Sequence, residues 1–133
     1  MISRRQALLV VAATACACRP DAGSARGVAE RFLDAHYVDI DLGTAEGLAA
    51  GVARNKVAEE RRLTTGHRID ETTRKPTVYY RLLEQYPEGE ARVRFVYRAT
   101  FAVDGAGNFD RRILLVLRRE QADWKVANFE EFE

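Results

Sequence analysis

ARVRFVYRATFAV, residues 91–103, is the stretch whose reading decides the fold. Val93, Phe95, Tyr97, Ala99, Phe101 and Val103 point one way, and Arg92, Arg94, Arg98 and Thr100 point the other. Only Val96 and Ala102 intrude as apolar residues on the polar side. A period of two sustained over that length is a strand with one face for a core and one for water. Downstream, Asp104, Gly105, Ala106, Gly107 and Asn108 make a hairpin loop. Residues 109–119 then set Ile113, Leu115 and Leu117 on one face and Leu114 and Val116 on the other, as a central strand would. A short turn at Gln121 and Ala122 leads to a last strand, WKVANFEEF. Upstream, TVYYRLLEQY at 77–86 is a further strand, closed by a turn at Pro87, Glu88 and Gly89.

The region before the strands carries helical spacing. Val28, Ala29, Phe32, Leu33 and Tyr37 share one stripe, which predicts an amphipathic helix of about three turns. A second helix is expected from an N-cap at Thr44, with Ala45, Leu48, Ala49 and Val52 on its apolar side and Gly47 and Gly51 weakening it. Lys56 and Glu60 stand four apart and are expected to pair along its charged continuation. Residues 64–76, closed by Pro76, read as a loop. Two helices followed by a four-stranded antiparallel meander make an α+β fold, with N-terminal helices packed on a curved sheet. Its inner face is built from Phe95, Tyr97, Phe101, Leu115 and Trp124.

The helix VAERFLDAHYVDID, a small second helix and long strands ending in DWKVANFEEF resemble the nuclear-transport-factor-2-like (cystatin-like cone) superfamily, above all its small bacterial exported lipoproteins. The resemblance covers roughly residues 26–133, and its most specific pieces are Phe32, Leu33, Asp34, Ala35 and the closing Trp124, Lys125, Val126. It implies a cone-like roll with a pocket at its open end. It also implies a choice between isomerases or dehydratases and non-catalytic binding or assembly modules, because the fold hosts all of these.

The first residues read as an address. Arg4 and Arg5 precede an uncharged, largely apolar run at 7–15, too short to span a hydrocarbon core as a helix. A basic end, a short apolar run and small residues make a secretory signal over 1–15. Ser3, Arg4, Arg5, Gln6, Ala7, Leu8 resembles the twin-arginine export signature, which leaves that route and the general secretory route both open. Ala13, Thr14, Ala15, Cys16 resembles a lipobox, with Ala13 where Leu is usual. Lipidation is expected at Cys16, with Cys18 as the second reading, and ordinary cleavage after Ala15 or Ala17 as the alternative. Acyl chains such as palmitate would anchor the protein to a membrane of the cell envelope. Residues 16–26 then form a tether, and 27–133 the domain.

Composition bounds the partners. The 133-residue chain is 47% hydrophobic and 31% charged, which is ordinary for one folded domain. Of its 21 basic residues, 19 remain against 20 acidic once Arg4 and Arg5 leave with residues 1–15, so charge gives no argument for nucleic acid. Cys16 and Cys18 are the only cysteines, so neither a disulfide nor a Cys-based zinc site is expected inside the domain.

No catalytic set stands out. The candidate pocket comprises His36, Tyr97, Trp124 and Asn128, with Glu130 a further group on the last strand. His36 borders the helix stripe and is the more interesting candidate base, yet it has no evident partner in the sequence. His67 falls in a polar loop. His36, Asp39 and Asp41 match no standard metal-ligand spacing, and Asp41 is better explained by the turn before the second helix. Neither a metal nor a cofactor is expected. Arg92, Arg94, Arg98, Arg112 and Arg118 share the outer sheet face. They read either as a surface for anionic headgroups or an acidic partner, or as a solvated face balanced by Glu84, Glu90, Glu120 and Glu131. The preferred function is a non-catalytic cone that binds a small apolar ligand or an envelope protein. An isomerase, dehydratase or hydrolase would need His36 or Glu130 within reach of Tyr97 or Asn128. An assembly module would dimerise through the outer sheet face.

Overall fold

The computed structural model describes residues 19–66 and 75–133. The leader with Cys16 and Cys18, and the loop residue His67, lie outside the described residues. Among the described residues three α-helices, α1 (Ala25–Leu33), α2 (Leu42–Gly47) and α3 (Gly51–Leu63), precede four strands. These are β1 (Thr77–Pro87), β2 (Arg92–Val103), β3 (Gly107–Glu120) and β4 (Asp123–Phe132). The strands form one antiparallel sheet in the order β1-β2-β3-β4. This is the expected α+β layout.

Ser24 starts α1, its Oγ accepting from the Gly27 N–H at 3.0 Å and donating to the Asp21 carbonyl at 2.7 Å. A Cβ on Gly27 would lie 1.8 Å from the Asp21 oxygen, so only glycine lets this turn sit against the helix. Residues 21–24, within the stretch read as a tether, are thereby folded onto α1.

The second helix is two helices. Asp41, not Thr44, caps α2: its carboxylate accepts from the Thr44 N–H at 3.2 Å and from the Thr44 hydroxyl at 2.7 Å. That hydroxyl bond, followed by the backbone one, holds the Asp41 carboxyl below the usual range. The helix ends at Gly47, and α3 restarts at Gly51, whose φ of 58° suits glycine. Between them the chain pairs with the free edge of β4: Ala50 N–H donates to the Val126 carbonyl, and Val126 N–H to that of Leu48, both at 2.9 Å. An edge strand that would otherwise present open backbone groups is thus covered. Val52, expected on the apolar side, is exposed, while Ala53 and Val57 take its place in the core.

The core lies between the helices and the inner sheet face. Phe95, Tyr97, Phe101, Ile113, Leu115 and Leu117 are buried as their alternation requires, together with Phe32, Leu33 and Val57. Each such large side chain contributes about 1.5–3 kcal/mol by leaving water. Trp124 packs only partly against this core, beneath the Arg119 guanidinium at 4.9 Å.

The last strand departs from simple alternation. The β3–β4 register shifts between Val116 and Leu117: Val116 faces Asn128, Leu117 faces Val126, and Ala127 is the extra residue. A bulge of this kind reverses the facing of everything beyond it. Phe129 is consequently buried in the core and Glu131 reaches Tyr37. Asn128 and Glu130, expected inward, lie opposite the outward-facing Val116 and Leu114.

Candidate functional site

Helix α1 carries polar groups into the core at two points. Near its middle, Glu30 accepts from the buried Tyr97 hydroxyl at 3.1 Å and from Arg26 Nε at 2.8 Å. One turn on, Asp34 accepts from the Tyr80 hydroxyl at 2.7 Å. Burial first, then the Glu30 charge, pushes the Tyr97 phenol well above its ordinary range. Burial and the hydrogen bond to Asp34 do the same for Tyr80.

The second point is where α1 stops being regular. Asp34–Val38 form a π-helical turn, with the Asp39 N–H donating to the Asp34 carbonyl at 2.8 Å. The wider turn carries His36 and Tyr37 into the core. His36 is only 9% exposed, stacked on Phe32 at 5.5 Å and set edgewise to Tyr37 and Phe129 at 4.3 and 5.0 Å. Its Nε2 lies 2.8 and 3.0 Å from the two oxygens of Glu60. A carboxylate only accepts, so Nε2 carries a proton. Nδ1 is buried and has no partner among the described residues. The Tyr37 hydroxyl donates to Glu131 at 3.0 Å, and burial, then the Glu131 charge, raises its pKa.

Beyond this turn, Ile40 has a φ of 53°. For a β-branched residue that is a strained conformation. Ile40 forms part of the wall of a cavity of about 330 Å³, lined by His36, Tyr37, Ile40, Leu42, Glu60, Leu63, Thr64, Pro76 and Phe101. A second hollow of about 390 Å³ shares Ile40, Leu42 and Thr64 and adds Arg61. The irregular helix, the strained residue and one edge of the His36 ring therefore meet at one opening, with Nδ1 itself buried behind it.

Of the four residues read as a pocket, His36 alone lines this cavity. Tyr97 bonds to Glu30, Trp124 sits under Arg119, and Asn128 accepts from Lys56 Nζ at 2.9 Å. Lys56 also donates to the Phe129 carbonyl at 2.6 Å, so it is anchored to β4 and does not pair with Glu60 as expected. Sequence reasoning assigned none of the other lining residues to a site, Glu60, Tyr37 and Phe101 among them. Tyr37 and Phe101 were legible as core positions, whereas the His36–Glu60 contact spans 24 residues and left no local signal. An acid–base arrangement of His36 or Glu130 with Tyr97 or Asn128 is not formed. Among the described residues no group of three or more potential ligands is placed to hold a metal, and no helix is long and apolar enough to cross a membrane.

No protein-family model matches the chain, and no curated protein matches it. Solved structures do. A ketosteroid isomerase-like protein from Erwinia carotovora atroseptica superposes with a TM-score of 0.59 at 14% identity, over 80% of this chain and 91% of that one. The association domain of CaMKII from C. elegans superposes with a TM-score of 0.53 at 16% identity, over 80% of this chain and 90% of that one. The fold is the nuclear-transport-factor-2-like cone. A SEC-C motif containing protein from Rhodopseudomonas palustris is also similar, with a TM-score of 0.57 at 16% identity over 84% of this chain and 80% of that one. At these identities the likeness concerns the fold, and within a nuclear-transport-factor-2-like cone function is argued from the site.

Proposed function

We propose that the cone holds a small, largely apolar ligand in the cavity beside His36, without reacting it, and does so as an exported, lipid-anchored protein of the cell envelope. The observation that carries the binding reading is the apolar cavity built on the π-turn and the strained Ile40. Strain of that kind persists where surrounding structure imposes it, and it clusters at ligand sites. The imidazole supports binding over turnover, since Nε2 is held by Glu60 and Nδ1 is sealed from solvent. A general base needs a reachable lone pair. Native mass spectrometry of the protein from its own host tests this: the parent should retain a small-molecule mass that a cavity-filling Leu42→Trp variant loses. An unaltered mass in both, or a turnover abolished by His36→Ala, would overturn the reading. The anchor rests on the leader alone, and intact mass of membrane-extracted Cys16→Ala and Cys18→Ala variants tests it.

Self-association through the outer sheet face is a second reading. There Val96 and Val116 point away from the core and are each 9% exposed, and Leu114 faces Val96 across the ladder, two residues along β3 from Val116. The flanking arginines are balanced by Glu88, which pairs with Arg92 and Arg94 at 3.0 and 2.8 Å, and by Glu120, 2.5 Å from Arg118. Glu131, expected among these counter-charges, is bound to Tyr37 instead. The likeness to an association domain supports self-association in general. Light scattering of the parent and of Leu114→Asp should show a dimer reduced to a monomer, and a monomeric parent removes this second reading.

A further inference from the structure

Among the described residues that line the cavity, Glu60 is the one carboxylate, and no lysine or arginine is among them. Its wall is apolar except for three polar groups and Glu60. The Thr64 hydroxyl is occupied by the Glu60 and Arg61 carbonyls at 2.8 and 3.3 Å, closing the end of α3. The Tyr37 hydroxyl is held by Glu131, and His36 Nδ1 is sealed. Glu60 is different: its side chain is 42% exposed, and His36 Nε2 occupies one side of a carboxylate that has room for further donors. Among the described residues no lysine or arginine pairs with it; Lys56 is bound to β4, and Arg61 to Glu46 at 2.8 Å. The same spot is the C-terminal end of the 13-residue α3, where the helix dipole favours positive charge. The Tyr37 and Phe101 rings, 6.0 Å apart and nearly perpendicular, add aromatic surface able to lie against a cation.

We propose that the cavity selects an amphipathic amine, its ammonium group on Glu60 at the end of α3 and its apolar body against Tyr37, Ile40, Leu42, Leu63 and Phe101. This rests on the cavity being the binding site. The carboxylate and the helix end both repel an anion, so a fatty acid of the same length is excluded, and a neutral alcohol gains only the apolar contact.

Amide chemical shifts of the full chain, titrated at low salt with hexylamine, hexanol and hexanoate, test it. Hexylamine is expected to bind about tenfold more tightly than hexanol, with hexanoate weakest, because only the amine gains a charge-assisted bond. Glu60→Gln should bring hexylamine to the level of hexanol and leave hexanol unchanged. Leu63→Lys alters a rim residue that is 64% exposed, so folding is not at stake. It should weaken hexylamine and strengthen hexanoate. Equal binding of amine and alcohol, or tighter hexanoate, overturns the amine preference and leaves the cavity reading standing. Shifts absent from the lining residues with all three probes overturn the cavity reading as well.

Discussion

The middle and the C-terminal end of α1 bury the same kinds of group and treat them differently. Near the middle, Glu30 and Asp34 receive Tyr97, Tyr80 and Arg26, and the phenols and carboxylates are matched. In the π-helical turn, His36 has one nitrogen bonded and, among the described residues, one without a partner, beside a strained residue and an opening. A matched network specifies a core. An unmatched one costs stability, so its persistence beside a cavity marks the place where the fold serves something besides itself.

The largest expected effect tests what the two regions share. Tyr97, Tyr80 and Tyr37 all have pKa values raised by burial. A phenol raised in the folded state stabilises fully below its unfolded value of 10, and that contribution is lost as pH rises beyond it. Alkaline titration should therefore show these phenols ionising together with loss of the circular dichroism signal. Their smooth ionisation in a folded chain would contradict their burial. Next, Glu30→Ala strands the Tyr97 hydroxyl and should cost about 2–3 kcal/mol in denaturant unfolding. His36→Phe is the opposite case: losing the bond to Glu60 is offset by removing the orphaned nitrogen, and stability should stay within about 1 kcal/mol of the parent. A loss comparable to that of Glu30→Ala would show that the two clusters are alike. Smallest, Ile40→Asn should gain about 0.5 kcal/mol by relieving the left-handed backbone while weakening ligand binding.

The strands were legible because a period of two is a local signal. Val93 to Phe101 and Ile113 to Leu117 are buried as that period dictates. It failed in β4, where the extra residue at Ala127 is set by register against β3 and nothing in WKVANFEEF announces it. Gly47 and Gly51 signalled a weak helix but not the pairing of Leu48 and Ala50 with Val126 that divides it. Of the site, His36 was visible as a titratable group beside a core stripe. Its partner was hidden because Glu60 had a nearer candidate in Lys56, which the tertiary fold draws away to Asn128 and Phe129.

The bulge at Ala127 also bears on how such a cone can change over generations. Loss of the Ala127 codon would leave Val126 opposite Leu117, Asn128 opposite Val116 and Phe129 opposite Leu115, so Phe129 and Glu131 would still face inward with the ladder on either side kept. A length change at this point can thus alter the bend of the last strand while the lining of the container stays the same.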